Sequence, residues 1–331
     1  MSSQALLDVE RLSVAYPGRD RPFRTVDDVS FRVAPGEALG IVGESGCGKS
    51  QTMLAVLRLL PSPVADISGA IRFGGDDLAG IPAKRMRAVR GSGIGLVSQD
   101  ALSALNPAMT IGAQMAEPLV RYDGMRRRAA LERCAELLDL VGLPGARQRL
   151  GSYPHELSGG MRQRVLIAMA ISRNPKVLIA DEPTTALDVT IQAQVLGLID
   201  RLRRELGMAL ILISHDLGVV AGITDRIAVM YAGRIVETAS TTDLFDRPRH
   251  PYTRALLASM PRMDEELRER LRPIPGLPPD LEQPPPGCAY HPRCLLARAG
   301  CEQSMPQLVR IGAGGAPDHR VRCPVVLEET P

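Results

Sequence analysis

Apolar and polar positions alternate from Leu7 to Val33, with turn signals at Pro17-Gly18 and Pro35-Gly36, which predicts a β-rich edge at the start of the chain. The period then changes. Residues 38–42 (ALGIV) form an unbroken apolar run that leads at once into a glycine-rich turn, and residues 51–60 carry helical spacing until Pro61 stops it. That order is strand, loop, helix. Two more apolar runs, 177–180 (VLIA) and 209–213 (ALILI), become polar only at their carboxyl ends, at Asp181-Glu182 and Ser214-His215. Such runs suit the interior of a mostly parallel sheet covered by helices. From about residue 100 to 173 helix formers dominate, and residues 128–141 set Leu131, Leu137, Leu138 and Val141 on one side. This stretch is predicted as a helical subdomain inserted into the α/β core. Residues 227–231 and 234–237, joined by Ala232-Gly233, predict a hairpin that completes the core near residue 240. Seven prolines within 273–286 exclude regular structure there. The expected division is therefore a core over 1–240 and an irregular extension over 241–331.

The length of 331 residues fits one large domain plus such a remainder. With 45% hydrophobic and 23% charged residues, the chain can bury a core, so wholesale disorder is excluded. No apolar run reaches the ~18–20 residues that span a bilayer. The opening MSSQALLDVERL lacks the basic start and long apolar run of a secretion signal, so a cytoplasmic protein is expected. A net charge of +3 gives little basis for a non-specific grip on nucleic acid, and no nucleic-acid partner is expected. Only three lysines occur, at positions 49, 84 and 176, so a retained lysine points to a place where a planar guanidinium would not fit.

Gly43-Glu-Ser-Gly-Cys-Gly-Lys-Ser50 fits G-x-x-x-x-G-K-[ST] between the predicted strand and helix. With this chain's composition, a chance match has odds of about two in a thousand. Glycines in such a loop let backbone N–H groups turn inward around phosphate, and the helix start aims its positive end at the same place. Gly43, Ser45, Gly46, Cys47, Gly48, Lys49, Ser50 and Gln51 are the candidate phosphate-binding residues. Lys49 would reach the β- and γ-phosphates, and the Ser50 hydroxyl would ligate Mg²⁺. Asp181, at the end of an apolar strand, is a second candidate Mg²⁺ group, and Glu182 beside it is the candidate general base for an attacking water.

Leu157-Ser-Gly-Gly-Met-Arg-Gln163 narrows the class, because Ser158 can cap a helix whose first N–H groups Gly159 and Gly160 leave open to an anion. This segment resembles the signature of ATP-binding cassette (ABC) ATPases, and the other family motifs follow in order. The resemblance implies an α/β cassette in which Tyr16 stacks on adenine, Gln99 joins the nucleotide and Mg²⁺ site to the helical subdomain, and His215 contacts the γ-phosphate. Residues 186–188 resemble the loop after the catalytic carboxylate. In the family, Ser158, Gly159 and Gly160 would face ATP held by a second cassette, so two subunits sandwich two ATP molecules. Met161, where many cassettes have Gln, and Ser98, where a bulky residue is usual, depart from the pattern.

The chain is most similar to ATPase subunits of dipeptide and oligopeptide importers, through residues 104–107 (ALNP), 249–257 (RHPYTRALL) and 287–294 (GCAYHPRC), and residues 86–118 resemble the first of the two ATPase types. That resemblance implies two permease subunits, a second paralogous ATPase, an extracytoplasmic binding protein and a place at the cytoplasmic face of the membrane. Nickel and glutathione importers share the pattern. A soluble cassette ATPase acting on DNA is the alternative of another class, and a phosphate-loop GTPase or kinase would have no use for residues 157–160.

Four of the six cysteines, Cys288, Cys294, Cys301 and Cys323, crowd into the tail as C-x₅-C-x₆-C-x₂₁-C, while Cys47 and Cys134 lie apart. A reducing compartment disfavours disulfides, so the four read first as a metal site able to suit Zn²⁺ or an iron–sulfur cluster, with free thiols as the remaining alternative. Some members of the importer family carry a [4Fe–4S] cluster there, which is what the resemblance implies. His291 is a possible substitute ligand.

Overall fold

The computed structural model describes residues 5–19, 21–61, 64–185, 187–260, 273–311 and 318–328. Ala186, within the loop after Glu182, lies outside the described residues. The strands in chain order are β1 (Leu7–Tyr16), β2 (Phe23–Val33), β3 (Ala38–Val42), β4 (Asp66–Phe73), β5 (Asp76–Asp77), β6 (Ile94–Val97), β7 (Val177–Asp181), β8 (Ala209–Ser214), β9 (Arg226–Tyr231), β10 (Arg234–Ser240), β11 (Val309–Ile311) and β12 (His319–Val321). They are distributed over two compact units: Met1–Ala34, Ala38–Ala79 and Ser214–Pro331 make one, and Pro35–Glu37 with Gly80–Ile213 make the other.

In the first unit the alternating N-terminal pattern becomes a four-stranded antiparallel sheet ordered β2-β1-β4-β5. β1 buries Leu7 and Val9 and then Leu12 and Val14; the alternation slips by one residue between Val9 and Leu12, where the register with β2 is irregular and Arg11 takes φ 49°. β3, buried at all five positions, pairs in parallel with β9, which turns through Ala232-Gly233 into the antiparallel β10. The hairpin is as predicted. Asp225 fixes the entry to β3: the Ala38 amide donates to Asp225 Oδ2 at 2.7 Å, and the Asp225 amide donates back to the Ala38 carbonyl at 2.8 Å.

The segment after β10 does not form a free-standing tail. β12 pairs with β10 and β11 pairs with β12, so the last strands extend the sheet of the first unit. Glu237, fully buried on β10, accepts hydrogen bonds from the amides of Arg249 and His250 and lies 2.7 Å from His319 Nε2 on β12. One carboxylate thus ties the helix Pro251–Ala258 and β12 to the same strand. Ile311, Val321, Val325 and Val326 add a small apolar cluster with Cys301 and Cys323. Residues 273–286 carry no helix or strand, as their prolines require.

In the second unit β6, β7 and β8 run parallel, and the helices Ile111–Asp123, Arg127–Leu140, Gly159–Ile171 and Val189–Leu206 accompany them. β7 and β8 are buried at every position, which explains why they are apolar up to their last residues, Asp181 and Ser214. The helix predicted over 128–141 spans Arg127–Leu140 and buries Leu137 and Leu138. No helix among the described residues is long and apolar enough to cross a membrane.

Candidate functional site

The first unit carries the predicted phosphate loop. β3 ends at Val42, the loop turns through residues 43–48, and the helix Lys49–Val56 begins at once. Gly48 is the N-cap at φ 101°, and a Cβ built there would lie 2.4 Å from the Thr25 carbonyl oxygen, so only glycine fits both the torsion and the space. Lys49 is nearly buried, with 4% exposed, and its ammonium donates to the Gly43 carbonyl at 2.7 Å and to the Glu44 carbonyl at 3.0 Å. A point charge with rotatable donors suits this curled backbone better than a guanidinium fork. Cys47 is buried, and burial pushes its thiol pKa up, so it acts as a small packing residue in the loop. The Gly233 amide, from the β9–β10 turn, donates to the Cys47 carbonyl at 2.9 Å and braces the loop from the side.

Tyr16 closes β1, and its hydroxyl donates to Gln51 Oε1 at 2.7 Å, so the structure joins two of the predicted nucleotide residues. Phe23 lies beside it, with ring centroids 6.0 Å apart. Two residues outside the predicted set also hold the loop. The Glu44 amide donates to the Tyr252 hydroxyl at 3.0 Å, and the Glu44 carboxylate takes both forks of Arg293 at 2.7 and 3.0 Å. Tyr252 was visible only as part of the HPY segment, without a role, and Arg293 only as a neighbour of Cys294. His215 follows β8 as an exposed residue, and the adjoining Asp216 caps the short helix Leu217–Ala221 through the Gly218 amide at 2.7 Å.

The second unit holds the carboxylates. Asp181 ends β7 and is buried, while Glu182 steps off the strand with φ 44°, a left-handed torsion uncommon outside glycine. Its amide donates to the Ile213 carbonyl at 3.0 Å, which holds the bent backbone. Glu182 Oε2 accepts from Gln99 Nε2 at 3.2 Å and from the Thr185 hydroxyl at 3.0 Å. Gln99 and Glu182, 83 residues apart, are therefore brought together, and Thr185 is an orienting partner that the sequence reading did not pick out. The Ser158 side chain caps the helix Gly159–Ile171 by accepting from the Met161 amide at 3.3 Å, and Ser158 and Gly159 are exposed. A Cβ on Gly160 would lie 2.9 Å from Ile191 Cγ2, so glycine lets the helix Val189–Leu206, capped by Asp188, approach this end closely.

The tail cysteines share one neighbourhood. The Cys288 amide donates to the Cys301 carbonyl at 2.7 Å, and Cys288 packs against the cluster that contains Cys301 and Cys323. Burial pushes the Cys288 thiol up to about 11, and the charges of Cys323, Cys301 and Cys294 would push it the same way. Burial also raises Cys294 and Cys323. None of the six is in a disulfide. Among the described residues, no three of His, Cys, Asp or Glu are closed into a set that could hold a metal ion. His291 directs Nδ1 at the Cys288 carbonyl, 2.9 Å away.

Solved structures that resemble the chain are nucleotide cassettes. A dimeric post-hydrolysis ATP-binding cassette bound to ADP and Pi matches with a TM-score of 0.63 and 25% identity, over 71% of this chain and 98% of its own. A component of an ABC transporter complex from Clostridium perfringens matches with a TM-score of 0.62 and 27% identity, over 73% and 91%. The fold and motifs thus define an ATP-binding cassette ATPase. The family model described as ABC transporter matches residues 26–185, and the model described as oligopeptide/dipeptide transporter, C-terminal region, matches residues 236–301. A peptide import ATP-binding protein of Brucella abortus (strain 2308) is 50% identical over 98% of both chains, and another from that strain is 47% identical over 98% of this chain and 96% of its own. This chain belongs to the ABC transporter family, in the group that carries the oligopeptide/dipeptide C-terminal region.

Proposed function

We propose that this chain binds and hydrolyses ATP to power a membrane importer of peptides. The full-length match to peptide import ATP-binding proteins carries the reading, because it includes the C-terminal region as well as the cassette. In this reading Tyr16 receives adenine, and the backbone of residues 43–51 with Lys49 receives the phosphates. The Lys49 ammonium, now on the carbonyls of Gly43 and Glu44, supports that assignment because it already sits inside the loop. Ser50, Gln99 and Asp181 would hold Mg²⁺, which supplies neutralisation of phosphate charge. Glu182 takes the proton of the attacking water, and the bonds from Gln99 and Thr185 orient its carboxylate. His215 contacts the γ-phosphate. Ser158, Gly159 and Gly160 offer an exposed capped helix end to the ATP of a second cassette.

The partners in this reading are two permeases, a second ATPase subunit and an extracytoplasmic binding protein, with the chain at the cytoplasmic face of the membrane. The tail cysteines are read as ligands of a [4Fe–4S] cluster, with Zn²⁺ as the alternative. Four sulfur donors in one neighbourhood support this, and a bound cation would convert thiols that burial keeps protonated into thiolates. Iron, sulfide and zinc analysis of the purified chain, with all four cysteines replaced by serine as the control, tests that point; equal metal content in both would reject it. Purification of the chain with the products of neighbouring genes tests the function. Two permeases should co-purify, and peptide-loaded binding protein should stimulate ATP hydrolysis. Stimulation by Ni²⁺ or glutathione alone would reassign the substrate, and absence of any permease would reject the transporter reading.

A further inference from the structure

The loop Gly43–Ser50 contains one carboxylate, Glu44, immediately beside the carbonyls that hold the Lys49 ammonium. An anion there repels an incoming triphosphate unless its charge is compensated and its direction fixed. Both are supplied from the far end of the sequence. Arg293 reaches across 249 residues to grip the Glu44 carboxylate with Nη1 and Nη2, at 2.7 and 3.0 Å. Its Nε donates to the Pro275 carbonyl at 2.8 Å, Nη1 also donates to the Tyr231 hydroxyl at 3.3 Å, and the guanidinium lies 5.9 Å from the centre of the Tyr231 ring. The Arg293 side chain is 6% exposed and that of Glu44 24%. Planar, bidentate and largely shielded from water, this is the geometry in which an Arg–carboxylate pair has directional strength. A second contact holds the same residue through its backbone, where the Tyr252 hydroxyl accepts the Glu44 amide. Tyr231, Tyr252 and Tyr290 pack with centroids 4.6 to 5.3 Å apart, which leaves the clamp little room to move.

We propose that Arg293 is a positioning residue for the phosphate loop, so that the cysteine-bearing segment of the tail sets the affinity of the nucleotide site by neutralising and orienting Glu44. The inference rests on the reading of residues 43–51 as an ATP site. Arg293 directly precedes Cys294, so whatever fixes the cysteine segment also fixes Glu44.

MgATP titration of the full-length chain, by calorimetry, tests this with Arg293→Gln, Arg293→Lys and the double variant Glu44→Gln with Arg293→Gln. Arg293→Gln is expected to weaken MgATP about tenfold, because it leaves the Glu44 charge uncompensated beside the phosphates. Arg293→Lys keeps the charge without the fork and should fall between. The double variant, with neither charge, should return to within about threefold of wild type. A purely structural role would not yield that rescue. The loss should be smaller for MgADP, which carries less charge. Binding of MgATP by Arg293→Gln equal to wild type, or a double variant no better than the single one, would overturn the inference alone. A wild-type chain that binds no MgATP would overturn the ATP reading and this inference with it.

Discussion

Glu237 offers the sharpest test of how the end of the chain is held. Its carboxylate is fully buried; Oε1 accepts the Arg249 amide at 2.7 Å and faces His319 Nε2 at 2.7 Å, and Oε2 accepts the His250 amide at 2.8 Å. Glu237→Leu strands three donors, each costing about 1–3 kcal/mol when left unsatisfied in the interior. Removal of the carboxylate also recovers part of its desolvation cost, so the net loss is expected at about 3–5 kcal/mol. Against a typical total of ~5–15 kcal/mol, that consumes much of the margin. Glu237→Gln can keep its oxygen at the Oε1 position and serve two of the three partners, turning its amide only against the His250 N–H. Its cost is expected at about 1–3 kcal/mol. Urea unfolding of the full chain, followed by circular dichroism, measures both, and limited proteolysis should cut the leucine variant first beyond residue 240. If Glu237→Leu lies within about 1 kcal/mol of wild type, this carboxylate does not pin the segment to β10.

Two further outcomes follow from the structure. Gly48→Ala forces a side chain onto a backbone at φ 101° with a Cβ 2.4 Å from the Thr25 carbonyl, so the loop must shift; MgATP affinity should fall at least about tenfold, and an unchanged nucleotide titration would refute the geometry. His250 is buried, and burial pushes its imidazole down to about 4. A histidine kept neutral in the fold but free to protonate when unfolded stabilises the protein above its unfolded pKa, near 6.5, and that contribution is lost as pH falls toward 4, by about 3 kcal/mol. His250→Asn can retain an acceptor for the Tyr252 amide and removes the titration, so its stability should vary less with pH over this window; an unchanged acid slope would contradict the assignment.

The parts of this molecule that could be read from sequence are those whose physics is local. Residues 38–42 and 177–180 read as buried strands because every residue in them is apolar, and the loop at 43–50 read as a phosphate site because glycine, lysine and serine stand at spacings that chemistry requires. The helix starts at Lys49, as the loop motif implies, but it ends at Val56 although helical spacing runs on to residue 60, because Arg58 takes the left-handed torsion φ 49° before Pro61 is reached. β11 and β12, three residues each, carry too little pattern to be read; β12 pairs with β10, and β11 with β12. The same limit applies to Arg293 on Glu44 and Gln99 on Glu182. Arginine is the chain's default cation, and nothing local distinguishes one that meets a carboxylate 249 residues away. The cysteine spacing named four candidate sulfur donors, but among the described residues no three of His, Cys, Asp or Glu form a group that could hold a metal ion, and sulfur spacing alone does not select one.

Steady-state ATP hydrolysis by the transporter assembled with its permeases, wild type against Glu182→Gln, decides whether Glu182 is the base proposed above. The substitution keeps the shape that meets Gln99 and Thr185 while removing the proposed base. MgATP binding should stay within about threefold of wild type while turnover falls by about 10²–10⁴, the usual contribution of a positioned base. Turnover equal to wild type in Glu182→Gln, with ATP still bound, would rule out Glu182 as the base.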